Sequence, residues 1–376
     1  MNKAEERMDF IKNLSKRHIP SLKRFIERQF HNRYILLDNM FFDWQYKDNP
    51  SNTYSEYSMK VIESKDEVLG YNGLVPVSMK VFDKNLIACT FANLMVGDKC
   101  KGFGLGSLLI KKSSDDFPVC YINGYNLKTR AIYEKQGGWT DMGVLRRFIK
   151  ILNVNKMESL INKKIPYEDN KLEDIDKNLV KIKEFDDKIH SFWEKVKHKY
   201  PITINRSKKF LNWRYSNHPM LKYELYLYIE NSKIKGYIIF RIEKFIDEKK
   251  DHYKIGRIID FISQEEYEEK IIQNIISLLH KQNVDFIDFY FSGNFHVKSL
   301  LNQGFVENIK YPYNTIPMLF SPLDRGRSDI TWIVYFKEYL KDKKECTNPN
   351  NWYITKGDGD QDRPNIPPDP EEKNGK

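Results

Sequence analysis

Three glycines at alternate positions, Gly102, Gly104 and Gly106, follow the apolar run Leu94, Met95 and Val96. They precede an apolar-faced helical stretch over residues 107–112. A strand that feeds such a loop into a helix N-terminus makes an anion site. Backbone N–H groups point outward, the helix dipole adds positive character, and glycines admit a phosphate where a Cβ would block it. Two absences narrow the anion. No Gly-Lys-Ser/Thr ending follows, which argues against a P-loop, and no acidic residue stands where a dinucleotide fold holds a ribose.

A second block lies one helix and one strand further on. After the apolar stretch 119–122, Asn126 opens a helical segment carrying Ala131 and Tyr133, and Gly137-Gly138-Trp139 stops it. Lys101-Gly102-Phe103-Gly104-Leu105-Gly106 resembles the pyrophosphate loop of the GNAT acyl-CoA N-acyltransferase superfamily, Arg/Gln-x-x-Gly-x-Gly/Ala. Lys101 stands in place of the usual Arg or Gln. The block from Asn126 to Trp139 is similar to the family's later motif, and the two occur in the family's order and spacing.

The resemblance implies an acyl-CoA-dependent N-acyltransferase, foremost an N-acetyltransferase, with acetyl-CoA or another acyl-CoA as cosubstrate and no metal. It also implies roles. Lys101, Gly102, Phe103, Gly104, Leu105, Gly106 and Ser107 hold the diphosphate. Leu94, Met95 and Val96 align the pantetheine arm like an added strand and offer N–H groups to the oxyanion. Tyr133 matches the family's general acid, a phenol of pKa about 10 facing a leaving thiol of about 8.5. Asn126 bonds pantetheine or caps its helix. Many relatives place a glutamate before the glycine loop, yet Phe91-Ala92-Asn93-Leu94 offers none, and Asp98 lies on the phosphate side. The base is then a water chain, or a group from a second domain or the tail.

An echo sets the domain organisation. Phe41-Phe42-Asp43-Trp44-Gln45-Tyr46 returns 169 residues later as Phe210-Leu211-Asn212-Trp213-Arg214-Tyr215. Gly70-Tyr71 matches Gly236-Tyr237, and Gln136-Gly137 matches Gln303-Gly304. A register held this long is a duplicated domain rather than a short solenoid repeat. Within each copy, runs of strands with few crossing helices predict an α+β fold: two tandem GNAT-like domains, each a mixed, mostly antiparallel twisted sheet flanked by helices. The boundaries are 1–150 for the acyl-CoA-binding, catalytic copy and 151–340 for a degenerate copy. The latter has Phe261-Ile262-Ser263-Gln264-Glu265-Glu266 and no glycine where the first has its loop, so it serves as scaffold or substrate wall. Pro20 divides two helices in residues 1–40, and residues 150–204 form a charged helical connector. The matched aromatics Trp44, Tyr46, Trp213 and Tyr215 read as core packing or as an aromatic wall for a sugar ring, and His218 as a turn residue. Residues 341–376 form a polar, Asp- and Pro-rich tail that reads as a solvated extension. Trp352 and Tyr353 could anchor it, and the aspartates around Gly359 carry a poor calcium-loop pattern.

Composition bounds the partners. The chain has 376 residues, 40% hydrophobic and 30% charged, enough for two cores. No run of 18 apolar residues suggests a membrane span, and the charged first 15 residues lack a signal peptide's apolar core. Cys89, Cys100, Cys120 and Cys346 show no metal spacing and read as free thiols of a reducing cytoplasm. A net charge of +10 favours anionic ligands. The expected acceptor is a small amine, anionic or sugar-linked, such as a nucleotide-activated amino sugar for surface polysaccharide, as the tail's similarity to tandem acyltransferase-like proteins of such gene clusters implies. No zinc pattern, recognition helix or basic-aromatic repeat points to nucleic acid. Two rivals stand beside this reading: an aminoacyl-tRNA-dependent cell-wall transferase of the tandem GNAT-like type, and a non-catalytic GNAT-like binding module. The first relatives do not generally need an intact glycine loop. The second is supported by the missing base and opposed by the intact Tyr133.

Overall fold

Two mixed sheets with matching strand orders form the body of the molecule. The computed structural model describes residues 10–364 apart from 31–33, 101, 126, 167–171, 321–322, 325, 327–328 and 342–343. In the first sheet β1 (Ile11–Asn13), β2 (Met59–Ser64), β3 (Glu67–Val81) and β4 (Lys84–Val96) run antiparallel. Strand β5 (Val119–Asn123) adds parallel to β4, and β6 (Trp139–Val144) lies at the edge. Strand β7 (Arg146–Ile151) leaves for the second sheet. That sheet holds β8 (Leu179–Ile182), whereas β9 (Ile202–Ile204) returns to pair with β3. Then come β10 (Glu224–Glu230), β11 (Lys233–Ile246), β12 (His252–Ser263), β13 (Phe286–Phe291) and β14 (Val306–Glu307). A two-stranded ribbon, β15 (Leu319–Phe320) and β16 (Leu323–Asp324), precedes β17 (Thr331–Phe336) and β18 (Trp352–Tyr353).

The strand orders are β1-β2-β3-β4-β5-β17-β6 and β8-β10-β11-β12-β13-β7-β14. Each sheet therefore takes its sixth-place strand from the far side of the sequence boundary near residue 150. The exchange is deeply buried: Trp332, Ile333 and Val334 of β17 and Phe148 and Ile149 of β7 have no exposed surface. The α+β expectation holds, and two sheets of one order fit the duplication.

The matched aromatic blocks meet at a pseudo-two-fold. Trp44 and Trp213 stack with centroids 4.9 Å apart, and each indole N–H donates to the other's backbone carbonyl at 2.9 Å. Trp44 lies in the helix Asn39–Tyr46 and Trp213 in the π-helical turn Asn212–Ser216 that continues the helix Lys208–Leu211; the two helices are N-capped by Asp38 and Ser207, also 169 apart in sequence. These aromatics are core between the halves. Among the described residues one apolar cluster runs from Leu14 through both sheets to Ile354.

His218 closes the turn after the second block. Its Nδ1 accepts from the backbone N–H groups of Met220 and Leu221 at 3.1 and 3.0 Å, so the ring is held neutral. Burial, with Arg214 nearby, pushes its pKa down to about 3. The unfolded chain, with an ordinary value near 6.5, then binds more protons than the native one between these limits. Stability is full above pH 6.5 and falls as pH drops, by up to about 1.4 kcal/mol per unit. A His218→Asn variant, melted at pH 7 and pH 5, is expected to lose about 2 kcal/mol less than the wild type over that interval; equal losses would remove His218 as the cause.

Several sequence expectations are corrected. Phe10, Ile11 and Leu14 lead into and out of a strand rather than lying on a helix. Pro20 is the second residue of the helix Ile19–Phe30, where its missing N–H is harmless, instead of dividing two helices. Strand β3 runs unbroken through Pro76. It pairs with β2 only up to Gly73 and with β9 only from Met79, so Pro76 lies in the gap where no ladder donor is needed. Residues 150–204 supply strands β8 and β9 as well as helices.

The tail is built into the body, at least through Pro364. Trp352, Tyr353 and Ile354 are fully buried, β18 pairs with β9, and Tyr353 donates to the Phe261 carbonyl at 2.6 Å. Its aspartates do not converge on a cation. Asp358 meets Arg206 at 2.8 Å, while Asp362 meets Arg241 at 2.8 Å and accepts from Tyr223 at 2.7 Å. From Asp362 a buried charge ladder continues through Arg241, Glu243, Arg257 and Asp288 to Arg147 on the exchanged strand β7.

Candidate functional site

Strands β4 and β5 are in register only at Cys89–Cys120 and Thr90–Tyr121. Beyond that point they part, because β4 bulges. Tyr71 pairs with Met95 and Gly73 with Ala92, so Asn93 and Leu94 together face Asn72, and Asn93 takes a left-handed φ of +63°. A bulge bends the strand away from its neighbour, and the opening becomes a cleft of about 320 Å³. Phe91, Asn93 and Leu94 line one side, Ile122 to Tyr125 the other, with Thr129 and Tyr133 from the helix Leu127–Lys135.

The tail forms the remaining wall. Asp360, Gln361 and Arg363 line the cleft, and Gln361 donates to the Asn123 carbonyl at 3.0 Å. Gly124, at φ +72°, is required here: a Cβ would sit 2.3 Å from the Gln361 side chain. Arg363 and the Tyr34 hydroxyl both donate to Asn93 Oδ1 at 2.5 Å, and Asn93 Nδ2 donates to Tyr46 at 3.0 Å. Asn123 is 2% exposed, and both polar atoms of its amide lack a partner among the described residues. An unsatisfied buried amide on a cleft wall is a ready contact for a polar ligand.

At the open end of β4 the chain passes Gly97 and enters the glycine loop. Gly102 and Gly104 have φ of +83° and +73°, and a Cβ on either would meet nothing within 4 Å. These glycines serve backbone conformation and an open approach rather than internal packing. Gly104 caps the helix Leu105–Ser114, whose first N–H groups face the loop. Gln136 ties this helix to the Tyr133 helix through the Ser107 carbonyl at 2.7 Å and its hydroxyl at 3.1 Å.

No protein-family model and no curated protein matches the sequence. Solved structures match in shape. The N-myristoyltransferase of Saccharomyces cerevisiae, solved with myristoyl-CoA and inhibitors, aligns at a TM-score of 0.55 and 12% identity over 87% of this chain and 80% of its own. A GCN5-related N-acetyltransferase from Anabaena variabilis gives 0.53 and 14% over 86% and 71%. A conserved protein of Enterococcus faecalis described as a probable N-acyltransferase gives 0.54 and 11% over 79% and 69%. The fold is GNAT-like.

Within this GNAT-like frame the sequence-read residues separate into groups. Leu94 and Tyr133 share the cleft. Met95 and Val96 continue along β4 opposite Tyr71 and Gly70, toward the loop of Gly102, Phe103, Gly104, Leu105, Gly106 and Ser107. Phe103 is exposed. Lys101 and Asn126 lie outside the described residues. Tyr133 is 3% exposed, packed on Trp139 with centroids 5.0 Å apart, and burial pushes its pKa well above the ordinary 10. It stays protonated across the working range. Tyr34, Asn123 and Arg363 were not singled out by the sequence reading: no motif marks them, and Arg363 stands 270 residues from its partner Asn93.

In the second copy the helix after β12 opens on an acidic residue. Glu268, first residue of the helix Glu268–Lys281, contacts His296 Nδ1 and Ser299 Oγ, both at 3.0 Å. This carboxylate is satisfied by side chains within the second half. Leu300 takes the place of Tyr133 and is fully buried.

Proposed function

We propose that the chain is an acyl-CoA-dependent N-acyltransferase working from its first copy. The observation that carries this reading is that β4, whose Asn93 and Leu94 line the cleft, runs on through Val96 into the left-handed glycine loop and the helix start at Leu105. An extended thioester arm entering the cleft would take hydrogen bonds along β4, while its phosphates met the loop's N–H groups. N–H groups at the Asn93 bulge would face the oxyanion, and the Tyr133 hydroxyl would donate to the sulfur. The solved relatives with myristoyl-CoA support an acyl-CoA donor, and acetyl-CoA is the donor we propose. The acceptor we propose is an amine on an anionic carrier, such as a nucleotide-linked amino sugar, which suits a net charge of +10. On this reading the enzyme works in the cytoplasm on a surface-polysaccharide precursor.

Calorimetric titration with acetyl-CoA tests the reading, beside a Gly104→Glu variant. Gly104 has open space around it, so the variant folds; its carboxylate meets the phosphates and its φ disfavours any Cβ. Micromolar binding by the wild type, weakened at least about 100-fold in a variant that melts no more than about 5 °C lower, is expected. No binding by the wild type to acetyl-CoA or longer acyl-CoAs would overturn the assignment.

A further inference from the structure

We propose that Asp360, in the C-terminal segment, is the general base that takes the acceptor's ammonium proton. The inference rests on the acyltransferase reading and supplies the group that β4 lacks. Three aspartates alternate along this segment with different fates. The side chains of Asp358 and Asp362 are fully buried and locked to Arg206 and Arg241, whereas the Asp360 side chain is 13% exposed and lines the cleft. It is the one carboxylate among the described residues that form that wall.

Its position is fixed from both sides. The Asp358 carbonyl accepts from the Tyr121 hydroxyl on β5, and the Asp362 carbonyl accepts from Arg214 at 3.1 Å. Between these anchors Asp360 Oδ1 accepts from Gln361 at 3.1 Å. Oδ2 has a long 3.5 Å contact with Arg363, a guanidinium already engaged by Asn93. One oxygen is thus held and the other is left able to bind an incoming N–H, on the wall of the cleft that also holds Tyr133. Rigid support of this kind is what a proton acceptor needs.

The proton accounting closes. Asp360 Oδ2 takes one proton from the acceptor's R–NH3⁺, and the freed lone pair forms the C–N bond at the thioester carbon. The C–S bond then breaks, with its electron pair going to sulfur. Tyr133 protonates the thiolate and recovers a proton from the nitrogen as the amide forms. Asp360 releases its proton to water through the open cleft, so one proton leaves per turnover.

Two small amines test the assignment with acetyl-CoA as donor and thiol release as readout. Ethylamine is an ammonium at neutral pH and needs the base; hydroxylamine is already neutral and does not. In Asp360→Asn, ethylamine-dependent release is expected to fall at least 100-fold. Hydroxylamine-dependent release is expected to change less than fivefold, and the acetyl-CoA dissociation constant less than threefold. In Asp360→Ala, added formate is expected to restore ethylamine turnover at least tenfold. Equal loss with both amines and no formate rescue would make Asp360 a positioning residue and overturn the proposal, as would ethylamine turnover within threefold of wild type. Absence of acetyl-CoA binding in the wild type would instead bring down the acyltransferase reading, and this inference with it.

Discussion

Replacing Arg206 by methionine is expected to destabilise the protein by about 3–5 kcal/mol at pH 7 and to free the C-terminal segment from the body. Arg206 is fully buried between Asp260, 2.9 Å away, and Asp358, 2.8 Å away. Without the guanidinium the two carboxylates stay buried without a counter-charge. Already in the wild type, burial holds Asp260 above the usual carboxylate range, against the pull of Arg206. In the variant Asp260 loses that pull and is raised further, so the native state binds a proton that the unfolded state releases. Relative to the wild type, which shares His218, the variant therefore recovers stability as pH falls from 7 to 5. Melting curves at the two pH values, with limited proteolysis of residues 344–364, check both parts. A variant that melts within about 1 kcal/mol of wild type would show that apolar packing of Trp352 and Tyr353 suffices to hold the segment.

Truncating Trp44 to alanine is expected to cost about 3–5 kcal/mol, and truncating Trp213 about the same. The equality follows from the reciprocal geometry: each ring stacks on the other, and each N–H satisfies the other's carbonyl. Either truncation removes the stack and leaves a buried carbonyl unpaired. The double variant is expected to cost less than the sum, with a coupling of about 1–3 kcal/mol. Chemical denaturation of the four proteins measures it. Strict additivity would mean that the tryptophans act through separate neighbours.

Local chemistry was legible in the sequence wherever it depends on local spacing. The glycine loop needs left-handed backbone at Gly102 and Gly104, and an alternating glycine pattern announces it. The duplicated aromatic blocks announce their equivalence. Partner choice was not legible. Strand β17 has the apolar content of any core strand, and nothing in Thr331 to Phe336 says that its neighbours are β5 and β6. The tail misleads for a related reason. Hydropathy counts aspartate as solvated, but Asp358 and Asp362 are buried against Arg206 and Arg241, which lie more than 100 residues away in sequence. The cleft's polar wall is assembled by the same long-range pairings, so only its β4 and Tyr133 side could be read beforehand.

The strand exchange has a consequence for how the protein is made. The first sheet has β1 to β6 in hand by Val144, but the slot between β5 and β6 waits for Thr331–Phe336. At a ribosomal rate of about 5–20 residues per second, some 190 further residues delay that insertion by roughly 10–40 s. During this interval β5 and β6 present unpaired edges on the nascent chain, a template for pairing with a neighbouring polypeptide. A chain released before Thr331 would keep that slot open. Nascent-chain crowding, rather than the stability of the finished molecule, then sets the yield of soluble protein.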